Sequence, residues 1–320
     1  VSPRTAVRLV VALSLVAASP GHALRVMSYN LLNYSGGRSA QFRTVLAQTQ
    51  PDVLVTEEIV GGQASVDLFL ADVLNVVNPG EWTSGPYTNG PDTDHAIFYR
   101  TAKDTLLSHF TITTALREID EWTLRPKSHA SDAARFRLYV VHLKASQGST
   151  EEQQRLGEVT LMRARMESYP AGQSYAVLGD FNIYTHTEPA FQYMISPANG
   201  LAGVVVDPIH REGNWHVNPA FADIHTQSPR TTQFGGGANG GLDDRFDMIL
   251  VSPADLDGEG FDILPPTYTA FGQDGAHFDT SLIIPPYSVV DSATARAIHD
   301  ASDHLPLYAD YQLPALLQVA

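Results

Sequence analysis

The sequence predicts an α/β fold, and three observations carry that expectation. Short β-prone apolar runs alternate along the chain with segments whose apolar residues recur at helical spacing. The composition, 43% apolar and 17% charged over 320 residues, supports a sizeable core rather than disorder. No internal repeat or long Pro/Ser-rich linker divides the chain, so one domain is expected over residues 24–320.

Taken in order, residues 1–23 read as a secretion signal. Arg4 and Arg8 precede an apolar run over 9–18, and Pro20, Gly21, His22 and Ala23 suit cleavage after Ala23. The run is too short for a stable membrane anchor, so a secreted or periplasmic protein is expected. Residues 24–30 alternate in polarity as a first strand, 41–48 have helical spacing, and 52–56 form a short buried strand. Helical spacing returns over 66–77, and strands follow at 96–99 and 136–142. Ser149 and Glu152 have the spacing of a capping box, opening a helix to about Tyr169. Strands are expected again at 174–178, 246–251 and 306–311. The stretch 235–241 holds five glycines and reads as a flexible loop, too short to be a linker.

Charge and cysteine content narrow the chemistry. A formal charge of −15 gives no general attraction to nucleic acid or anionic membranes, which argues against a non-catalytic nucleic-acid binder. With no cysteine there is no disulfide frame, no thiolate zinc site and no cysteine nucleophile. Any metal must be held by carboxylates, amides and histidines, a donor set suited to magnesium, manganese or calcium.

Polar, metal-competent residues interrupt the apolar strands at their ends: Asn30, Glu58, His142, Asp180, Asn182, Asp247, Asp303 and His304. Each alone would read as a turn residue, a helix cap or a buried structural histidine. Their order and neighbours say more. Ser28-Tyr29-Asn30-Leu31, Glu57-Glu58-Ile59 after the second strand, Val141-His142-Leu143, Gly179-Asp180-Phe181-Asn182, Arg245-Phe246-Asp247-Met248-Ile249-Leu250 and Ser302-Asp303-His304-Leu305-Pro306 follow one another. In that order they resemble the motif blocks of the endonuclease/exonuclease/phosphatase superfamily of metal-dependent phosphodiesterases. Glu57 stands where the family pattern has Gln.

The resemblance implies a four-layer α-β-β-α sandwich, two mixed β-sheets packed face to face, with the site where the motif loops converge. It implies Glu58 as the main metal ligand, with Asn30 and Asp303 beside it, and a divalent cation, Mg2+ first, then Mn2+ or Ca2+. By the same resemblance Asp180 orients or deprotonates the attacking water and Asn182 holds a phosphate oxygen. Asp247 fixes the tautomer of His304, and His142 is a second histidine able to act as general acid. Whether Asp or His is the base stays open.

Arg100 and Lys144 are candidate phosphate contacts, each also readable as a solvated rim charge. Between Asp247 and Asp303 the chain is longer than two core strands need, and this insert over 253–300 is expected to rim the site. The expected activity is hydrolysis of a phosphodiester substrate, nucleic acid first. A phospholipid phosphodiesterase or inositol-phosphate phosphatase, and a catalytically inactive binding module, are the competing readings.

Overall fold

The computed structural model describes residues 23–313; all but the last residue of the segment 1–23 read as a secretion signal lies outside the described residues, as do 314–320. The chain opens with β1 (Ala23–Tyr34), α1 (Ser39–Thr49) and β2 (Val53–Ile59). There follow α2 (Gln63–Phe69), a π-helical turn (Leu70–Leu74), α3 (Asn75–Val77), β3 (Trp82–Ser84) and β4 (Asp94–Arg100). The middle of the chain gives β5 (Asp104–Ile112), β6 (Ile119–Pro126), β7 (Phe136–His142), α4 (Ser149–Met166), β8 (Ser174–Asp180) and α5 (Pro189–Ile195). Last come β9 (Asp247–Val251), β10 (Asp262–Ile263), β11 (Thr269–Ala270), α6 (Ser292–Ala301) and β12 (Leu307–Gln312).

The strands form two mixed sheets. One runs β10-β12-β1-β2-β4-β3, with β11 also paired to β12, and the other runs β5-β6-β7-β8-β9. Each contains one parallel pair, β1 with β2 and β7 with β8. Those pairs are joined through α1 and α4, because parallel neighbours need a crossover.

Strand alternation sends one set of side chains between the sheets. Val26, Val53, Val55 and Ile97 there meet Trp122, Leu138, Val140, Leu178 and Ile249. The opposite faces pack on helices: Phe42, Phe69 and Ile298 lie over the first sheet, and Val159, Met162 and Phe191 over the second. The architecture is therefore the four-layer α-β-β-α sandwich, with three layers of apolar packing.

Several local expectations are corrected. The helix at 149 begins there, but its cap is Gly148, which accepts the Glu152 N–H at 2.9 Å, and no side-chain capping bond forms. It closes at Met166, three residues short of Tyr169. Much of the insert over 253–300 does not rim the site. Its short strands β10 and β11 pair with β12, and α6 packs beside α1. His277 in that insert is structural, with Nδ1 2.8 Å from Asp274 and Nε2 2.6 Å from the Ile284 carbonyl oxygen.

At the end of the sandwich where β5 begins, Asp104 is 1% exposed and both its carboxylate oxygens lack a hydrogen-bond partner. Burial, reinforced by Asp52 and opposed by Lys103 and Lys127, pushes its pKa up to about 7. A raised folded-state pKa stabilises the fold fully only below the unfolded value, and that contribution is lost as pH rises through about 7. Asp104→Asn should therefore melt like the parent near pH 4 and higher, by on the order of a few degrees, at pH 8. Thermal unfolding of both proteins at the two pH values checks this; equal midpoints at pH 8 would show that Asp104 ionises without strain.

Candidate active site

The site forms where the C-terminal ends of β1, β2, β7 and β8 meet the start of β9 and the turn before β12. In the second sheet His142, Asp180 and Asp247 are cross-strand neighbours in one row, His142 opposite Asp180 and Asp180 opposite Asp247. In the first sheet Asn30 lies opposite Glu57. Alternation sends Glu57 between the sheets, where Ser28 Oγ donates to it at 2.8 Å. A register shift then breaks the ladder, and Glu58 takes a left-handed conformation, φ 58°. That turn brings Glu58 into the site beside Asn30, where regular alternation would have pointed it away.

Asn30 joins the two sheets. Its Nδ2 donates to Glu58 Oε1 at 3.1 Å and lies 3.3 Å from Asp180 Oδ2, while its Oδ1 accepts the Leu32 N–H at 3.0 Å. The second Glu58 oxygen accepts the Asn33 N–H at 3.0 Å. His142 Nε2 stands 3.8 Å from Glu58 and 3.6 Å from Asp180. On the other side of Asp180, His304 Nε2 lies 3.5 Å away, and His304 Nδ1 is 2.8 Å from Asp247 Oδ2. Asn182, also left-handed, donates its N–H to Asp180 Oδ1 at 3.0 Å and its amide to the Leu143 carbonyl.

Asp303 accepts the Ala238 N–H on Oδ2 at 2.6 Å, and its Oδ1 is buried without a partner. The Ala238 donor belongs to the glycine-rich loop. A Cβ on Gly237 would stand 2.5 Å from the Asp303 carboxylate, so that loop can approach only without a side chain there.

Electrostatics follow from burying this many acids together. Burial, opposed by His304 and reinforced by Asp247 and Glu58, pushes Asp180 up to about 7. Burial also raises Glu58, with Asp303 adding to it. Burial lowers His142 well below the usual histidine range, helped by Arg117, His95 and His304. Burial would lower His304 too, but Asp247, Asp180 and Asp303 outweigh it and hold the ring well above its ordinary value. A carboxylate-rich site that raises its own acids fits a cation. Glu58, His142 and Asp180 supply three ligand atoms within 4.8 Å of one another.

Eight of the ten residues singled out in the sequence lie in this one region, Lys144 follows His142 at its border, and Arg100 lies elsewhere. Arg100 ends β4, which runs antiparallel to β2, so it emerges at the opposite end of the sandwich. There it donates to the Pro51 carbonyl at 2.9 Å and pairs with Glu81 at 2.5 Å. Lys144 lies beyond the end of β7, where the chain turns toward α4. Its N–H donates to Glu158, and its ammonium reaches the Ala145 carbonyl at 2.7 Å.

Sequence reading missed Thr226, whose Oγ accepts the Asp247 N–H at 3.0 Å, and Thr93, whose hydroxyl is 3.5 Å from His142 Nδ1. It also missed Gln227, whose amide nitrogen lies 2.7 Å from His304 Nε2. Thr93 just precedes β4, and Thr226 and Gln227 lie in the irregular chain between α5 and β9, where no period marks them.

The comparisons agree with this geometry. A model of the Endonuclease/Exonuclease/phosphatase family matches residues 27–304, which takes in all eight residues gathered at the site, from Asn30 to His304. The chain belongs to that family. Its members are phosphoric ester hydrolases that use divalent metals, and the chain is an enzyme of that class.

Among solved structures it resembles the human Nocturnin catalytic domain with bound sulfate (TM-score 0.56, 16% identity, 91% of this chain and 94% of that one). It also resembles D. rerio TDP2 complexed with single strand DNA product (0.57, 14%, 90% and 98%). A third is ANGEL2, a 2',3'-cyclic phosphatase, in complex with adenosine-2',3'-vanadate (0.53, 14%, 92% and 97%). At these identities the likeness is one of fold. No curated protein matches the chain.

The Asp247–His304 pair gives a direct test within the family chemistry. Arg245, two residues away, is engaged elsewhere, its guanidinium forked onto Asp207 at 2.7 and 3.0 Å, so it does not compete for Asp247. Asp247→Asn and His304→Ala should each lower turnover by about a hundred- to ten-thousand-fold per folded molecule. The double variant should fall little further, since residues that work as a unit are not additive. Rates normalised to the folded fraction by circular dichroism decide it; full additivity would separate the two roles.

Proposed function

We propose that this chain is a secreted, divalent-cation-dependent phosphodiesterase that hydrolyses nucleic-acid phosphodiester bonds. The observation that carries the reading is the continuous contact from Asp247 through His304 to Asp180, with His142 beside Asp180 on the same sheet and Glu58 across the gap between the sheets. Glu58 would hold the cation, Mg2+ first, with Asn30 orienting it and Asp303 offering its unpartnered buried oxygen. When bound, the cation polarises a phosphoryl oxygen and offsets the crowded carboxylates.

The chain's own groups do the rest. Asp180 aligns the attacking water and takes its proton, for which a carboxyl raised to about 7 is well matched. His304, fixed by Asp247, offers Nε2 to a non-bridging phosphoryl oxygen. Asn182, whose amide nitrogen donates one N–H to the Leu143 carbonyl, keeps its second N–H for the same phosphate. Water adds to phosphorus as the ester bond to the leaving oxygen breaks, and that oxygen takes its proton from solvent, because burial holds His142 well below the usual histidine range and leaves it none to give.

Secretion is supported by the sequence of residues 1–23, and N-terminal sequencing of the mature protein from culture medium tests it. The metal reading predicts that excess chelator abolishes turnover and that added magnesium or manganese restores it. Full activity in chelator would overturn it.

A second reading, hydrolysis of a small or lipid-borne phosphoester, is favoured by the state of the nearby cations. Arg117 is paired with Asp92 at 2.9 Å, Arg38 donates to the Ala301 and Leu32 carbonyls, and Arg230 to the His299 carbonyl. A long polyanion needs a basic track that releases counterions, and it leaves a steep salt dependence. Rates on plasmid DNA, RNA, sphingomyelin and bis-p-nitrophenyl phosphate, each at low and high salt, separate the two. Fast, salt-sensitive cleavage of polymer supports the nuclease, and turnover confined to sphingomyelin or bis-p-nitrophenyl phosphate supports the second reading.

A further inference from the structure

Gln227 reaches the site from outside every sequence block, and its position is fixed on both sides. Its backbone bridges to Asp244 and to His304. Its N–H donates to the Asp244 carbonyl at 3.1 Å, and its own carbonyl accepts the Asp243 and Asp244 N–H groups at 3.0 and 3.1 Å. With the main chain held, the side chain spans to the far nitrogen of the His304 ring, Nε2 to Nε2 at 2.7 Å. The near nitrogen of that ring is 2.8 Å from Asp247, so the imidazole is held at both ends. Asp180 Oδ2 approaches the same Nε2 to 3.5 Å, which makes this nitrogen the one that faces the reacting centre.

The residue type matters. A carboxamide presents an N–H to a neutral imidazole nitrogen and, turned over, a carbonyl oxygen to a protonated one. It can therefore keep its contact with Nε2 in either protonation state. A carboxylate there would add a further negative charge beside Asp180, against an anionic substrate. When a phosphoryl oxygen comes to Nε2 it must take the place the amide holds, and the displaced amide, still tethered by its clamped backbone, remains within reach of that phosphate.

We propose that Gln227 is a further phosphate-contacting residue: its carboxamide holds the phosphate's place on His304 Nε2 in the free enzyme and hydrogen-bonds the bound phosphate afterwards. This rests on the phosphodiesterase reading, so the experiment has one arm that needs turnover and one that does not. In the first, kcat and KM on bis-p-nitrophenyl phosphate with manganese are compared for the parent, Gln227→Ala and Gln227→Glu, with His304→Ala as the inactive control. Losing one preorganised donor to the reacting group should lower kcat about a hundredfold in Gln227→Ala. Gln227→Glu should fall at least as far, and both should melt near the parent temperature. A merely structural role would instead lower the melting temperature and leave kcat per folded molecule intact, which would overturn the proposal.

In the second arm, nitrogen NMR of the His304 ring is recorded on metal-free protein with and without inorganic phosphate. The Nε2 resonance should differ between the parent and Gln227→Ala before phosphate is added. In the parent, phosphate should move that resonance. Identical Nε2 resonances in the two proteins, or a parent resonance that phosphate leaves unmoved, would sink the idea. Absence of turnover with any substrate would count against the phosphodiesterase reading alone, because the NMR arm still decides whether Gln227 and phosphate share His304.

Discussion

The site depends on one contact between the two sheets, the Asn30 amide lying between Glu58 and Asp180. Without it, two raised carboxylates from opposite sheets would face each other across a buried gap with only His142 between them. A neutral amide is the side chain that can donate to both oxygens without adding charge. Asn30 is itself tied down: its carbonyl accepts the Ser302 hydroxyl at 2.6 Å, and Ser302 immediately precedes Asp303 and His304. One asparagine therefore spans the two sheets at the site, holds Glu58 and anchors the entry of the last block. Close approach continues beneath it at Gly179, φ 131°, where any Cβ would collide with the Val141 carbonyl oxygen.

The two histidines of the site are not equivalent, and the difference is electrostatic. His304 has a carboxylate on its near nitrogen and is held well above the ordinary range. His142 has only the Thr93 hydroxyl at 3.5 Å in the same place, and burial leaves it well below that range. Asp120 of β6, by contrast, is held between two other rings, His95 Nδ1 at 3.1 Å and His109 Nε2 at 2.6 Å. Two rings of the same chemistry, both near Asp180, thus enter any reaction in different states.

Much of this was legible in the sequence because a polar residue ending an apolar strand is conspicuous. Asn30, His142, Asp180 and Asp247 all declare themselves in that way. What was not legible has physical reasons. Residues 104–126 form the β5–β6 hairpin, yet gave no strand expectation, since β5 lies at the sheet edge with a partly exposed, mixed pattern. Arg100 was misplaced because strand direction decides which end of the sandwich a residue reaches, and antiparallel pairing of β4 reverses it. Glu58 was found through the family pattern, while strict alternation alone would have selected Glu57. Gln227 carries no periodic signal, and only three-dimensional packing against His304 reveals it.

The order of strands in the first sheet has a consequence for the timing of synthesis. β1, the first strand described, lies between β2 and β12, the last one. Pairing these two requires closure of a loop spanning nearly the whole chain, among the slowest contacts a fold can make. Until the ribosome has released that final strand, Asp303 and His304 have no sheet to hold them and Asn30 lacks its Ser302 tether. A nascent chain carrying five of the six blocks is therefore still without its hydrolytic centre. Topology alone thus withholds the assembled site until β12 has paired with β1.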